Sequence, residues 1–304
     1  MEPLYDPALD AHADEARDYA AKVTSAVAGL SAETVAAARA SYAPDSDLVR
    51  AGLNRNAYER SADGITVRII EPASSPTAVY IDCHGGAFVM GNPAMNDTRN
   101  TRYVNAAGVV SVSIDYRLAP EHPYPAGPDD CERAAIWAIE YAAREWGTEQ
   151  FFIAGQSAGA NLAMATLLRL RDRHGVAPRC LGANLTYGPY DLSGTPSQIR
   201  MNRLAMRDLY LPHVGLADRQ TPDISPLYAD LSGLPPALFT VGTDDYLFDD
   251  NLFMAMRWNA AGLDTTLAVY PGCPHGFDAM PIALGRLATD RMVAWVSDRV
   301  TSRG

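Results

Sequence analysis

A chain of 304 residues with a net formal charge of −11 can bury one large core, and it has no cluster of basic residues. This charge balance argues against binding to nucleic acid or to an anionic membrane surface. No signal-peptide pattern follows Met1 and no apolar run could span a bilayer, so we expect a cytoplasmic protein without stable membrane association. The four cysteines lack metal-ligand spacing, and we expect free thiols and no cofactor or metal ion.

The first fifty residues differ from the rest because they contain no strand pattern. Residues 8–30 and 31–43 are rich in alanine and have acidic faces, which predicts helices. A second stretch without strands, residues 191–211, has an apolar side that should face another part of the molecule. Without further information, both stretches could be ordinary surface helices.

A glycine-rich loop follows the first clearly apolar strand pattern, residues 78–83. Its sequence is His-Gly-Gly-Ala-Phe, and the glycines let the backbone approach a ligand and direct its amides at one point. We predict an oxyanion hole from the amides of Gly85, Gly86 and Ala87, with Ala158 from a later turn. We interpret His84 as a structural histidine that holds the loop, rather than as a base.

The sequence Gly-Gln-Ser-Ala-Gly at residues 155–159 is the most informative motif. It follows the apolar run 151–154 and precedes a helix of small residues, which is the strand, turn and helix context of a nucleophile elbow. Such a turn raises the serine hydroxyl above the sheet, beside the positive end of the helix. The motif therefore predicts Ser157 as the nucleophile.

The acid and the base are predicted on two later loops. Asp244 and Asp245 follow the strand 238–242, and spacing alone does not separate them. His275 lies on a Pro/Gly loop after the strand 265–270, from which it can reach a serine on a neighbouring strand. The chain order serine, acid, histidine is that of the α/β-hydrolase triad.

Strands alternate with helices over most of the remaining chain. Residues 130–141, 251–261 and 284–300 have the pattern of amphipathic helices. This alternation predicts an α/β fold with a mostly parallel central sheet and helices on both faces.

These motifs together resemble the bacterial hormone-sensitive-lipase-like carboxylesterases. The resemblance runs from about residue 58 to the end, and it is carried by residues 84–88, 115–126, 155–159, 245–249 and 274–277. It implies an α/β-hydrolase fold, and its acid motif Asp-Pro-Leu-x-Asp aligns with the catalytic acid at Asp245. It also implies a homodimer, which family members often form through their last strand.

The resemblance further implies a helical cap over the active site. The predicted organisation is a first cap segment at residues 1–50, core at 51–190, a second cap segment at 191–225 and core again at 226–304. We predict that Phe88, Tyr187, Tyr190, Met206 and Tyr210 line the substrate pocket.

Three residues depart from the family pattern. Ala87 replaces a third glycine, Gln156 stands where Asp or Thr is usual, and Tyr246 replaces the proline of the acid motif. The second departure affects the hydrogen bond that the usual residue makes, and the third affects the register of the acid motif.

The predicted function is hydrolysis of short- to medium-chain acyl esters through an acyl-enzyme on Ser157, with a small-molecule ester as the binding partner. One alternative is an amidase such as an arylformamidase, because the same triad serves both reactions. A second is a non-catalytic ligand-binding relative like the plant gibberellin receptors. The presence of serine, acid and histidine together favours an enzyme.

Overall fold

The computed structural model describes residues 6–22, 34–200 and 206–302. Within them the chain forms one eight-stranded sheet. The strands are β1 (Tyr58–Ala62), β2 (Ile65–Ile70), β3 (Val79–Cys83), β4 (Val110–Ile114), β5 (Phe151–Gln156), β6 (Cys180–Thr186), β7 (Ala237–Gly242) and β8 (Thr265–Tyr270).

The strand order is β1-β2-β4-β3-β5-β6-β7-β8. β2 pairs antiparallel with β1 and with β4, and every later pairing in this sheet is parallel. The parallel strands β3, β5, β7 and β8 therefore end at the same edge of the sheet, where open α/β sheets carry their sites. The predicted fold class, an α/β-hydrolase fold with a mostly parallel sheet, is confirmed.

Helices pack on the sheet and connect its strands. The predicted helices appear in the structure as α5, α9 and α10, and each begins a few residues or one residue earlier than predicted. The helices are α1 (Ala13–Lys22), α2 (Val35–Ser41), α3 (Asp47–Arg50), α4 (Asp97–Ala107), α5 (Ala126–Tyr141), α6 (Ala158–Asp172), α7 (Pro196–Arg200), α8 (Met206–Tyr210), α9 (Phe248–Ala260) and α10 (Ala283–Thr301).

The core lies between the sheet and these helices. β3, β4, β5, β6 and β7 are buried along their whole length, as expected for parallel strands covered on both faces. None of the helices in residues 6–22, 34–200 and 206–302 is both long and apolar enough to cross a membrane.

The predicted first cap segment contains α1, α2 and α3, and part of the helical prediction, residues 23–33, lies outside the described residues. α2 is held beside the glycine-rich loop by Arg39, whose guanidinium donates to the carbonyl oxygens of Val89 (2.7 Å) and Ala119 (2.8 Å). The same guanidinium pairs with Glu121. The segment is therefore anchored to the part of the chain that follows β3.

The predicted second cap segment contains α7 and α8. The backbone carbonyl of Tyr210, at the end of α8, accepts a hydrogen bond from the amide of Tyr124 at 2.9 Å. Residues 201–205 lie outside the described part. The division of the chain into core and cap segments at residues 50, 190 and 225 stays a prediction.

Candidate active site

Ser157 occupies the sharp turn between β5 and α6. Its backbone has φ 53° and ψ −128°, a conformation that L-residues rarely adopt. Gly159 permits the turn, because a Cβ there would lie 2.0 Å from the carbonyl oxygen of Cys83. The amide of Ser157 donates to the Thr186 carbonyl oxygen at 2.9 Å, which ties the turn to the end of β6.

His275 reaches Ser157 from the loop after β8. Its Nε2 lies 2.8 Å from Ser157 Oγ, and its Nδ1 lies 2.9 Å and 3.1 Å from the two carboxylate oxygens of Asp245. With the proton on Nδ1, the imidazole donates to the carboxylate and its Nε2 accepts the serine hydroxyl proton. This arrangement suits general-base activation of a serine.

The two neighbouring aspartates have different surroundings. The side chain of Asp245 is 0% exposed, and its carboxylate also accepts the amide N–H of Leu247 at 2.8 Å. The side chain of Asp244 is 46% exposed; it accepts the Thr243 hydroxyl proton at 2.9 Å and lies 3.7 Å from Arg17. Asp245 is therefore the carboxylate that contacts the imidazole.

Two tyrosine rings flank the imidazole. The ring centroids of Tyr187 and Tyr246 each lie 4.7 Å from that of His275. The Tyr187 hydroxyl donates to Asp278 at 2.5 Å, and Arg99 pairs with the same carboxylate at 2.8 Å. Burial raises the pKa of Tyr187, so this hydroxyl stays a donor. These rings restrict the orientation of the imidazole.

The glycine-rich loop presents its amides beside Ser157. The backbone N–H groups of Gly86, Ala87 and Ala158 donate no hydrogen bond to any of the described residues. Gly86 has φ +124°, and a Cβ there would lie 2.0 Å from the Met90 carbonyl oxygen. Gly85 packs against β5 and accepts a hydrogen bond from His84 through its carbonyl oxygen. The loop can therefore offer free donors to a developing oxyanion.

His84 is fully buried under this loop. Its Nδ1 donates to the Gly85 carbonyl oxygen at 2.7 Å, and its ring stacks on Tyr116 with centroids 4.2 Å apart. The Tyr116 hydroxyl donates to the His84 carbonyl oxygen at 2.8 Å. Burial lowers the pKa of His84 to about 4, so the ring is neutral near pH 7. Its contacts agree with the interpretation of a histidine that holds the loop.

A small cavity of about 40 Å³ opens beside Ser157. Ala87 and Ala158 form its wall next to the serine. The other residues that line it are Phe88, Pro189, Leu192, Gln198, Arg207, Tyr246 and Leu247.

The five predicted pocket residues lie in different surroundings in the structure. Phe88 lines the cavity, and Tyr210 stacks behind it with ring centroids 4.0 Å apart. Tyr187 contacts His275, whereas Tyr190 is fully buried and packs edge-on against Phe239 in the core. The backbone of Met206 begins α8, and its side chain lies outside the described part of the structure.

Several cavity residues were missed by sequence reasoning. Leu192, Gln198 and Arg207 belong to the second cap segment, which the sequence marks only by its lack of strands. Gln198 and Arg207 are polar residues in short helices, a pattern typical of solvent-exposed surface. The available signal was the apolar side of the segment, and it indicates a packed face without identifying the polar residues on it.

A family model described as alpha/beta hydrolase fold matches residues 80–279. Carboxylesterase NlhH of Mycobacterium tuberculosis is 34% identical over 235 residues, which cover 71% of this chain and 72% of the relative. The solved structure of an esterase from the bacterial hormone-sensitive lipase family has a TM-score of 0.76 and 27% identity, covering 97% of this chain and 99% of that one. This chain belongs to the hormone-sensitive-lipase-like family of α/β-hydrolases.

A second solved structure extends the similarity over nearly the whole chain. Esterase LipW from Mycobacterium marinum has a TM-score of 0.79 and 27% identity, and the alignment covers 98% of this chain and 97% of LipW. The similarity therefore reaches beyond the core into the segments that contain α1, α2, α7 and α8.

The three departures from the family pattern are accommodated locally. Ala87 has φ 55°, in the left-handed region that favours glycine, so its methyl group is held at some cost in strain. Gln156 donates to Asn96 Oδ1 at 2.6 Å, and Asn96 donates to Asp82 at 2.7 Å, in a buried polar network below the elbow. Tyr246 contacts the imidazole and lines the cavity.

Proposed function

We propose that this hormone-sensitive-lipase-like hydrolase is a serine carboxylesterase that cleaves esters of short- to medium-chain acids through an acyl-enzyme on Ser157. Membership of the family makes it a carboxylic ester hydrolase. The observation that carries the proposal is the row of hydrogen-bonding distances from Ser157 Oγ to His275 Nε2 (2.8 Å) and from His275 Nδ1 to Asp245 (2.9 Å).

Acylation begins when Ser157 Oγ attacks the ester carbonyl carbon. His275 Nε2 takes the hydroxyl proton, and Asp245 stabilises the resulting imidazolium without becoming protonated. The carbonyl oxygen becomes an oxyanion, which accepts hydrogen bonds from the amides of Gly86, Ala87 and Ala158. The imidazolium then protonates the leaving alcohol as the C–O bond breaks, and the acyl group stays on Ser157.

Deacylation repeats these steps with water as the nucleophile. His275 takes a proton from the water as it attacks the acyl-enzyme carbonyl, and the same amides stabilise the second oxyanion. The imidazolium returns the proton to Ser157 Oγ, which releases the carboxylic acid. Every step uses residues of this chain and water.

The cavity volume supports a short acyl chain. About 40 Å³ corresponds to roughly three water-sized sites at 10–15 Å³ each. Each methylene that fits gains about 0.8 kcal/mol, whereas a methylene that does not fit gains nothing or clashes. We therefore expect acyl groups of about two to six carbons to react fastest, with activity falling sharply by about ten.

The test is a series of p-nitrophenyl esters from acetate to dodecanoate, measured as kcat/KM. A maximum at or below about six carbons supports the proposal. Equal rates up to dodecanoate, or efficient hydrolysis of triglyceride emulsions, would contradict the chain-length limit. Turnover of a formyl-anilide faster than of any ester would contradict the carboxylesterase assignment itself.

A homodimer is the second element of the proposal. β8 is an edge strand of the sheet, and an edge strand can pair with the edge strand of a second copy. Light scattering coupled to gel filtration measures this directly: a mass twice that of one chain supports the dimer, and the mass of one chain contradicts it.

A further inference from the structure

The cavity beside Ser157 contains one positively charged side chain in a largely apolar wall. Arg207, on α8, lines the cavity and is 5% exposed. Its neighbours in the wall include Phe88, Leu192 and Leu247. A buried charge in such surroundings needs direct partners, because an apolar wall cannot replace its hydration.

The hydrogen bonds of Arg207 leave part of the guanidinium unused. Nη1 donates to the Leu192 carbonyl oxygen at 2.9 Å. Nη2 is buried and has no hydrogen-bond partner among the described residues. Burial lowers the pKa of Arg207 to about 10, so the side chain still carries its charge near pH 7. Arg207 therefore lines the active-site cavity and keeps one charged donor group that has no acceptor among the described residues and is closed off from solvent.

The carboxylates around Arg207 are already occupied by other donors. Asp250 accepts hydrogen bonds from the Thr195 hydroxyl and the Gln198 amide, both at 2.6 Å, and from two backbone amides. Asp191 accepts from the Ser193 amide at 2.8 Å and from the Tyr228 hydroxyl at 3.1 Å. Neither carboxylate forms an ion pair with Arg207 within the described residues.

The other nearby charges form a pair of their own. Arg219 and Asp208 lie 2.7 Å apart. The negative charges of Asp191 and Asp250 stabilise the charge of Arg207 from a distance, but its Nη2 group has no direct acceptor among the described residues. An oxygen ligand in the cavity beside Ser157 supplies that acceptor when the guanidinium turns towards it.

We propose that Arg207 binds a carboxylate on the acyl chain of the substrate, so that the enzyme prefers monoesters of short dicarboxylic acids such as succinic or glutaric acid. This inference rests on the proposed ester hydrolysis at Ser157. A carboxylate bound by a guanidinium forms charge-assisted hydrogen bonds, which are stronger than neutral ones in a dry site. The small volume of the cavity limits the chain between the two carboxyl groups to a few carbons.

The test compares methyl esters matched in length. Monomethyl succinate and monomethyl glutarate carry the carboxylate, whereas methyl butyrate, methyl pentanoate and dimethyl glutarate lack it. We expect kcat/KM of the wild-type enzyme for at least one monomethyl ester to exceed that of its neutral counterparts by about 10-fold or more. Release of methanol or acid reports turnover for all five substrates.

Three variants separate binding from general effects. Arg207→Met should remove the preference: the ratio of kcat/KM for a monomethyl ester to kcat/KM for its neutral counterpart should fall by about 10- to 100-fold, mainly through the KM of the charged ester. Arg207→Lys should keep part of the preference. Arg219→Met removes a nearby positive charge that does not line the cavity, and it should leave the preference intact.

The outcomes distinguish this inference from the proposed function. Hydrolysis of the neutral esters with no preference for either monomethyl ester would overturn the role of Arg207 alone. Absence of turnover for every ester would overturn the esterase itself. A loss in Arg207→Met that is equal for charged and neutral esters would show a structural role only. If that variant does not fold, inhibition of the wild type decides: glutarate must inhibit at least about 10-fold more strongly than pentanoate.

Discussion

The proposed chemistry and the proposed specificity of this hydrolase depend on two regions that are built differently. Ser157, Asp245 and His275 lie on short turns at the carboxyl ends of β5, β7 and β8, which belong to the parallel part of the sheet. The predicted second cap segment, by contrast, supplies Gln198 and Arg207 to the cavity from the short helices α7 and α8, and Leu192 from the turn before α7.

The difference lies in what holds each residue in place. At Ser157 the backbone itself is constrained, because glycines at both sides of the turn allow close contact with β3 and α6. In the predicted second cap segment, side-chain hydrogen bonds such as that from Arg207 to the Leu192 carbonyl oxygen add to the burial of apolar residues such as Leu211. Changes at the sheet edge should therefore alter the chemical step, and changes in the cap should alter binding and stability.

The largest effect is expected at the nucleophile and the base. Ser157→Ala or His275→Ala should lower kcat by about 10⁴- to 10⁶-fold, because each removes one member of a unit that works together. The double variant should be only slightly worse than either single one. Steady-state kinetics on p-nitrophenyl butyrate measures this, with unfolding curves as the control for folding. Near-normal turnover in His275→Ala would mean that another residue is the base. The chemical step would then not depend on the turns at the ends of β5, β7 and β8.

The two adjacent aspartates provide a matched pair for the next effect. Asp245→Asn should lower kcat by on the order of 10³-fold or more, since the imidazole loses the carboxylate that orients it and stabilises its charge. Asp244→Asn should change kcat far less, because that side chain is half exposed and contacts Thr243 and Arg17. The same kinetic assay measures both variants. A reversed order of the two losses is incompatible with the contact to His275.

The burial of His84 predicts how the free energy of unfolding depends on pH. Its folded pKa of about 4 lies below the ordinary value of 6.5, so folding favours the neutral ring. The stabilisation is complete above about pH 6.5 and is lost as pH falls towards 4, by about 3 kcal/mol in total.

Urea unfolding of the wild type and of His84→Gln at pH 7 and pH 4.5 measures this contribution. We expect the free energy of unfolding to fall less between these two pH values in the variant than in the wild type. An equal fall in both proteins would mean that His84 does not contribute to acid sensitivity.

The smallest effect is expected in the first cap segment. Arg39→Met should lower the free energy of unfolding by about 1–3 kcal/mol, because it removes charged hydrogen bonds to the Val89 and Ala119 carbonyl oxygens. Arg133→Met, which removes an exposed pair with Asp63, should cost at most about 0.5 kcal/mol.

Denaturant unfolding measures both of these variants, and kcat for a short ester provides the functional readout. We expect kcat to change little in Arg39→Met, in contrast to the sheet-edge variants. A loss of kcat as large as that of Asp245→Asn would remove the distinction between the two regions.

The sequence predicts the sheet, and it predicts the turns that carry Ser157 and His275, because the signals for both are local. The sequence Gly-Gln-Ser-Ala-Gly after an apolar run is a specific signal, because only glycine fits at Gly155 and Gly159. A Cβ at either position would lie 2.0–2.3 Å from a backbone oxygen. The loop histidine and the acid follow from the strands that precede them, and the family resemblance chose between Asp244 and Asp245. Strand and helix positions followed from the alternation of apolar runs and amphipathic patterns.

The residues that line the cavity could not be predicted from local sequence patterns. Tyr190 and Tyr210 are bulky residues near the right strand and helix, yet one packs on Phe239 and the other behind Phe88. Which residues of a cap face the site depends on how it packs against the core through distant contacts. Arg207 resembles a surface residue in sequence, and only its burial and its unpaired Nη2 distinguish it.

Covalent labelling by a fluorophosphonate tests the central claim most directly, that Ser157 is a nucleophile activated by His275. The wild-type protein should gain the mass of one phosphonyl group, and peptide mapping should place it on Ser157. Ser157→Ala should not be labelled, and His275→Ala should be labelled slowly if at all. A label on another residue, or an unlabelled but folded wild-type protein, would contradict the account.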